Sequence, residues 1–370
     1  MKVWGVSVSY FTGKIEAYLR YKGIAYEMEP PFADAKRISG LAGAIQVPIL
    51  ERDDGRWMCD STPMIFQLEK EHTDRPVMPS DPVVGFIAKL IEDYADEWLW
   101  RVAMYYRWSY DHDRELLSRI LADEVTPHIP LPRFIRRHLV KSRQHKSFVA
   151  NDAVTSATQE HVEAGYIRAL ENMTLMLKDR PYLFGNAPSL ADFGMLGPMM
   201  RHFAQDPTPA SIMRNQAPAV YEWVSRMWNA SELSVDPTFV GHVPDDATPM
   251  LREIAQTHLV QLRENAAAFH QQKRHFEMTV QGCHYTRVPV SQYRVYCLER
   301  LREAFQELSE SDQAAVKVLL AYSESDLLWT DTVRAGSGYD EVREAPFNKG
   351  INVLARPQEP FITRLIRARS

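Results

Sequence analysis

Three short stretches within the first 63 residues carry side chains whose types and spacing suit thiol and amino-acid chemistry. The first is Ser9-Tyr10-Phe11-Thr12-Gly13-Lys14, where a β-rich run meets an amphipathic segment. A hydroxyl at such a junction lies beside unpaired backbone N–H groups and the positive end of a helix dipole. That environment stabilises a thiolate and lowers a thiol's pKa. The second is Gln46-Val47-Pro48-Ile49-Leu50, in which proline opens a strand-like segment and withholds the N–H that a central ladder needs. The third is Cys59-Asp60-Ser61-Thr62-Pro63. Here Asp60 ends a strand and Ser61 starts a helix, so the Ser61 O–H and N–H can take an α-carboxylate while Asp60 pairs with an α-ammonium. Taken singly, each also reads as plain capping or an edge-strand proline.

These stretches need a scaffold, and the hydrophobic pattern supplies one. Residues 2–9 read as a strand and 12–23 as a helix stopped by Gly23, followed by a strand at 24–30. Residues 47–50 and 56–60 flank Asp54-Gly55, a hairpin signal, and a helix follows from Ser61 with Pro63 in its first turn. The order β-α-β then β-β-α is the thioredoxin-like arrangement, in which a proline such as Pro48 is normally cis and opens the Val47 N–H and C=O to an extended peptide. RPVMPSDP (75–82) reads as a linker. Beyond it, helical periodicity covers 83–109, 113–124, 153–179, 189–204 and 217–229, then 250–272 and 291–321, with a strand pair or arm at 275–288. The expected fold is therefore α+β and mostly α: a thioredoxin-like domain at 1–80, an all-helical domain at 83–235 and a mainly helical extension at 245–370. Ser189 and Asp192 have capping-box spacing and read as structural.

Composition narrows the function classes. The 370 residues carry a net charge of -5 and are 45% hydrophobic, which suits a globular chain with more than one core and argues against a dedicated nucleic-acid binder. No apolar run is long enough for a membrane span. Three widely spaced cysteines, Cys59, Cys283 and Cys297, form neither a disulfide framework nor a zinc signature, so no metal is expected and a reducing cytoplasm is the expected location.

The motifs, in this order over residues 1–230, resemble the glutathione S-transferase superfamily. PAVYEWVSRMW (218–228) is similar to that family's late helix. The resemblance implies glutathione as co-substrate, an apolar electrophile as its partner, a role in detoxification and a homodimer. It implies that Val47, next to Pro48, pairs with the cysteinyl backbone, that Asp60 and Ser61 hold the γ-glutamyl end, that Gln46 reaches the glycyl end, and that Phe11 lines the site. Ser9 lies fourteen positions before Gly23, the separation in serine-type members, so Ser9 is assigned the thiol-activating hydroxyl and Tyr10 a wall or a backup donor. Departures from the pattern are ISGLAGAIQVP in place of the usual Asn-Pro, Asp60 in place of Glu, and the long extension. Lys14–Arg20 is also similar to helix one of metaxin-like proteins, which implies a non-catalytic binding or adaptor role as the alternative. A third reading, a glutathione-dependent reductase or peroxidase, would rest on Cys59.

Other features have bland and sharp readings. Trp98, Arg101, Tyr105 and Trp108 share a helical face and, with Tyr10, form the candidate co-substrate pocket; the same stripe reads as core or dimer interface. Glu92, Asp93, Asp96 and Glu97 suggest a metal-like acidic pair, and more simply read as a solvated acidic face. Residues 128–146 carry Arg133, Arg136, Arg137, Lys141, Arg143 and Lys146 with no acid; they could face an anionic ligand, an acidic partner or a membrane surface, and more simply read as a solvated basic helix. Cys283 and Cys297 read as small buried apolar residues.

Overall fold

The computed structural model describes residues 1–31, 35–43, 46–231 and 237–350. The chain opens with β1 (Lys2–Trp4), α1 (Tyr10–Tyr21), β2 (Glu27–Glu29), α2 (Ala35–Ala42), β3 (Ile49–Glu51), β4 (Trp57–Cys59) and α3 (Ser61–Glu71). The sheet order is β2-β1-β3-β4, with β1 and β2 parallel and the other pairs antiparallel. Val3 stands opposite Met28 on one side and Leu50 on the other, and Leu50 faces Met58. This is a thioredoxin-like sheet. The first strand is shorter than the expected 2–9, because β2 and β3 each offer only three residues to pair with it. Gly23, at φ +68°, closes α1 as its sequence position suggests: its N–H donates to the Arg20 carbonyl (3.2 Å) and that of Ile24 to Leu19 (2.9 Å).

The helical part comprises α4 (Pro82–Glu97), α5 (Leu99–Ser109), α6 (Asp111–Val125), α7 (Arg133–Phe148), α8 (Gln159–Met176), α9 (Leu190–Pro198), α10 (Pro207–Gln216) and α11 (Pro218–Asn229). The single helix expected over 83–109 breaks at Trp98, which caps α4 and starts α5. After α9 the helix widens into a π-turn over Met199–Ala204, next to Pro198. The extension adds α12 (Thr248–Ile254), α13 (Val260–His270), a hairpin of β5 (His275–Val280) and β6 (Cys283–Pro289), then α14 (Gln292–Gln306) and α15 (Glu310–Leu319). The molecule is thus α+β and mostly α, and no described helix is long and apolar enough to cross a membrane.

A large apolar core joins these parts, and a smaller cluster of Trp4, Ile38, Ala42, Ile49 and Cys59 packs α2 against the sheet. The large core includes Val3, Tyr10 and Ile65 from the first segment, Ile87 and Leu90 from α4, and Leu298 and Phe305 from α14. Close helix crossings depend on glycine. A Cβ on Gly194 would lie 2.6 Å from the Glu92 backbone, and one on Gly197 would lie 2.8 Å from the Tyr10 ring, so α9 can approach α4 and α1 only with these residues bare. Asp192 fixes the start of α9: its carboxylate accepts from the backbone N–H groups of Leu183 and Ser189, from the Ser189 hydroxyl (2.6 Å) and from Trp223 Nε1 (3.0 Å), all buried. Ser189→Ala removes one of these donors and should lower stability by about 1–2 kcal/mol in urea unfolding, with no change in ligand affinity.

Buried charges also tie α1 to the helical part. Lys14, fully buried, donates to Glu92, to Asp96 (2.6 Å) and to Thr62 Oγ1 (3.0 Å). Glu16 accepts from Arg201 (2.5 Å), Tyr18 donates to Glu69 (2.7 Å), and the Arg20 guanidinium lies over Trp228. Every chemically distinctive side chain of the Lys14–Arg20 stretch therefore has a packing role. The acidic run is not the solvated face expected from its composition: Glu92 and Asp96 are buried against Lys14, Asp93 contacts His258 Nε2 (2.6 Å), and Glu97 accepts from Arg294 (3.1 Å). Isolated carboxylates would be too costly to bury, and each of these has a partner from a distant segment. In the basic stretch, Arg133 pairs with Asp123, and both Arg137 and Lys141 pair with Glu115, which leaves α7 largely exposed with Val140 as its buried residue.

Candidate functional site

A cavity of about 420 Å³ opens where the sheet edge, α5, α7 and the extension converge. Ser9, Phe11, Gln46, Val47, Pro48, Asp60 and Ser61 all line it. Four local features bring them there. Ser9 caps α1, its Oγ accepting from the Thr12 N–H at 3.4 Å, so the hydroxyl hydrogen is free to point outward. The Val47–Pro48 bond is cis, and among the described residues neither the Val47 amide nor its carbonyl has a hydrogen-bond partner. Asp60, at φ +73°, precedes α3 and turns Ser61 into the first helical position. Gln46 Oε1 is buried without a partner, an acceptor left open on the cavity wall.

Asp60 has an unexpected neighbour. The phenol of Tyr293, from α14, donates to its Oδ2 at 2.7 Å. Burial drives the Asp60 carboxyl up to about 6, against the pull of the Tyr293 hydrogen bond and the Lys14 charge. Around it, Pro289, Val290, Ser291, Arg294, Tyr339 and Gly350 complete the wall, so the extension roofs the cavity without filling it. The chain also lies along the sheet edge here: Cys59 N–H donates to the Pro346 carbonyl (2.8 Å) and Gly350 N–H to Ala42 (3.0 Å).

The apolar half of the cavity differs from the one read from sequence. Tyr10 and Trp108 line it, but Trp98, Arg101 and Tyr105 do not. Arg101 is spent on Asp152 and Gln261, Tyr105 donates to Glu163 (2.6 Å), and Trp98 packs edge-on against His161. Trp100, Met104 and Arg107 join Trp108 as the cavity-lining strip of α5, with Phe148, Leu121 and Val125 also on the lining. The break at Trp98 resets the helical phase, and α5 has large apolar residues on every side, so its pattern carries no marker of which face is core. Phe11 stacks on Trp100 with ring centres 5.5 Å apart. Tyr10 is no backup donor: its hydroxyl donates to the Ala95 carbonyl and its ring is buried.

Cys59 also lines the cavity, but it is a poor thiol nucleophile, since burial pushes it up to about 11. Cys297 is buried and Cys283 only half-buried, short of the burial expected for it.

A hydroxyl capping helix one, a cis-proline loop and an acidic residue followed by serine, on a thioredoxin-like sheet beside an all-helical half, define a glutathione-transferase architecture. Family models agree: the glutathione S-transferase N-terminal domain matches residues 4–76 and the C-terminal domain residues 140–230. The chain belongs to the glutathione S-transferase superfamily. Solved structures similar to it include a glutathione S-transferase from Rhodospirillum rubrum F11, 14% identical over 67% of this chain and 99% of that one, TM-score 0.42. The β-etherase LigF from Sphingobium sp. strain SYK-6 is 19% identical over 61% of this chain and 93% of that one, TM-score 0.43. A third, from Methylobacterium radiotolerans in complex with glutathione sulfonate, is 16% identical over 66% and 97%, TM-score 0.38. No curated protein matches the chain.

Proposed function

We propose that this protein binds glutathione across the Val47–Pro48 bend and activates its thiol for attack on an apolar electrophile. The observation that carries this reading is the convergence of the Ser9 hydroxyl, the open Val47 backbone and the Asp60–Ser61 pair on one cavity whose other half is aromatic. Its volume falls in the range of small-molecule sites. In the proposed complex Val47 pairs with the cysteinyl N–H and C=O, Ser61 holds the α-carboxylate at the start of α3, and Gln46 Oε1 accepts from the glycyl end. The Ser9 hydroxyl donates to the thiolate. With a free thiol mostly protonated at neutral pH, that donor and the α1 dipole raise the reactive fraction. The thiolate then attacks the electrophilic carbon, forming the C–S bond as the leaving group departs with the bonding pair, while Phe11, Trp100, Met104 and Phe148 exclude water.

The segments 1–80, 83–235 and 245–370 divide this work in our reading: peptide binding, the electrophile's walls, and the roof. Calorimetric titration with glutathione tests the proposal; no heat at millimolar ligand rejects it. The Tyr293–Asp60 contact favours a second reading, a non-catalytic member whose acidic subsite is permanently filled by its own chain. Glutathione binding excludes that reading.

Asp60 gives the binding a pH signature. Above about 6 its carboxyl is ionised and can accept an ammonium; below that it takes a proton and the pairing is lost. The affinity for S-methylglutathione, which has no thiol to titrate, should therefore weaken as the medium is taken from about pH 7 to pH 5, and Asp60→Asn should flatten the profile. A flat wild-type profile would exclude Asp60 from ammonium binding.

A further inference from the structure

The extension does more than roof the cavity: it places a guanidinium on the wall. Arg294, in the first turn of α14, lines the cavity and is 7% exposed. Its position is set through the cap of that helix. Ser291 caps α14, its Oγ accepting from the Arg294 N–H at 3.3 Å. Asn265 of α13, fully buried, grips Ser291 in turn: it accepts from the Ser291 N–H and donates to its carbonyl, both at 2.8 Å. The Arg294 side chain gives its Nε–H to Glu97 Oε2 at 3.1 Å. The other four N–H donors, on Nη1 and Nη2, meet no acceptor among the described residues, and both nitrogens keep accessible surface. Arg107, on the same lining, differs: its donors are spent on Asp206, Val8 and Arg201. Arg143 lines the cavity too, but it is exposed and keeps its water.

A guanidinium held nine-tenths out of water with one donor used and four open is half of a binding site. Nη1 and Nη2 belong to one planar group, so a single carboxylate meets both through two parallel hydrogen bonds. Glu97 is a weak counter-ion for it: burial drives that carboxyl up to about 7, against the pull of Arg294, so near neutral pH the cation is only partly neutralised. The first turn of α14 lines the same wall at Ser291, Tyr293 and Arg294, and the positive end of the helix dipole adds to the attraction for an anion. We propose that Arg294 binds a carboxylate of the ligand through both Nη atoms, which makes the extension part of the binding site. Two parts of the reacting pair can bring that carboxylate: an end of the glutathione tripeptide, or an acidic group on the electrophile. This inference rests on the glutathione reading and adds an anion subsite to it. Arg294 is a binding residue in this account; it makes and breaks no bond.

The test titrates S-methylglutathione, S-benzylglutathione and S-(4-carboxybenzyl)glutathione into the full chain by calorimetry, as wild type and as Arg294→Gln. Where the tripeptide supplies the carboxylate, the variant should bind all three about 30-fold more weakly. Where the electrophile supplies it, only the carboxybenzyl conjugate should lose affinity, by the same factor, and in wild type it should bind more tightly than S-benzylglutathione. Unchanged affinities for all three in Arg294→Gln would overturn the inference and leave glutathione binding intact. Failure of all three to bind wild type would reject the glutathione reading and this inference with it. A second variant guards against a folding artefact. Glu97→Gln removes the competing anion, so at pH 8, where wild-type Glu97 is ionised, it should bind the carboxylate-bearing conjugate severalfold more tightly. A gain is a direction that misfolding does not produce; equal or weaker binding would overturn the assignment.

Discussion

Ser9→Ala is expected to lower kcat/KM with an activated aryl halide by about 10²-fold while changing glutathione affinity only slightly. The reason is where the hydroxyl acts. In the proposed complex Val47, Asp60 and Ser61 would hold the tripeptide's backbone and ends, whereas Ser9, on the same cavity lining, would meet only the sulfur. Loss of one donor aimed at a developing or resident anion in a dry site typically costs about 10²–10³ in rate. Ground-state binding is spread over the other contacts and survives. The Ser9 Oγ contact to the Thr12 N–H is long, at 3.4 Å, so removing it should cost the helix little. Steady-state kinetics with both substrates varied separates the two effects. An unchanged kcat/KM would remove Ser9 from the chemistry.

The largest stability effect should come from Lys14→Met. Among the described residues, Lys14 is the cation paired with both Glu92 and Asp96, and all three are buried where α1 meets α4. Burial alone would lower the ammonium pKa, but the two carboxylates more than offset that and raise it. Removing the cation strands two acids in a low-dielectric environment, and breaking a buried pair in this way costs about 3–5 kcal/mol. Urea unfolding should show the loss, and adding Glu92→Gln should recover part of it. Recovery separates a charge effect from a packing defect, because methionine fills a similar volume without the charge. A variant as stable as wild type would mean that the cluster is effectively solvated.

Much of the first segment was legible because its signals are local. Ser9 and Ser61 announce helix starts, Pro48 announces a break in pairing, and Asp54-Gly55 announces the hairpin between them. Such features depend on neighbours a few residues away. The remainder depends on contacts that one sequence does not encode visibly. Tyr293 reaches Asp60 across 233 positions, and Lys14 reaches Glu92 across 78. An acidic helix face looks the same whether water or a distant lysine covers it. For α5, periodicity puts Trp98, Arg101, Tyr105 and Trp108 on one face, but Trp98 interrupts the helix and aromatic residues surround it, so of these four only Trp108 lines the cavity. The π-turn over Met199–Ala204 left only a faint signal: Pro198, inside a helical run, removes a backbone N–H, and the turn widens just after it.

The extension is the feature that most separates this chain from a plain transferase layout. It supplies Tyr293 to the acidic subsite, Arg294 to Glu97 and a backbone strand-like contact at Cys59, and still leaves the cavity open. In the proposed mechanism an incoming ammonium takes the place of the Tyr293 phenol at Asp60, a charged donor replacing a neutral one.

The most direct measurement of the central claim is the thiol pKa of glutathione bound to the full chain, followed by the ultraviolet absorbance of the thiolate as pH is varied. The account predicts a value about one to two units below that of free glutathione, returning toward the free value in Ser9→Ala. A bound thiol that titrates like the free one in wild-type protein would contradict it.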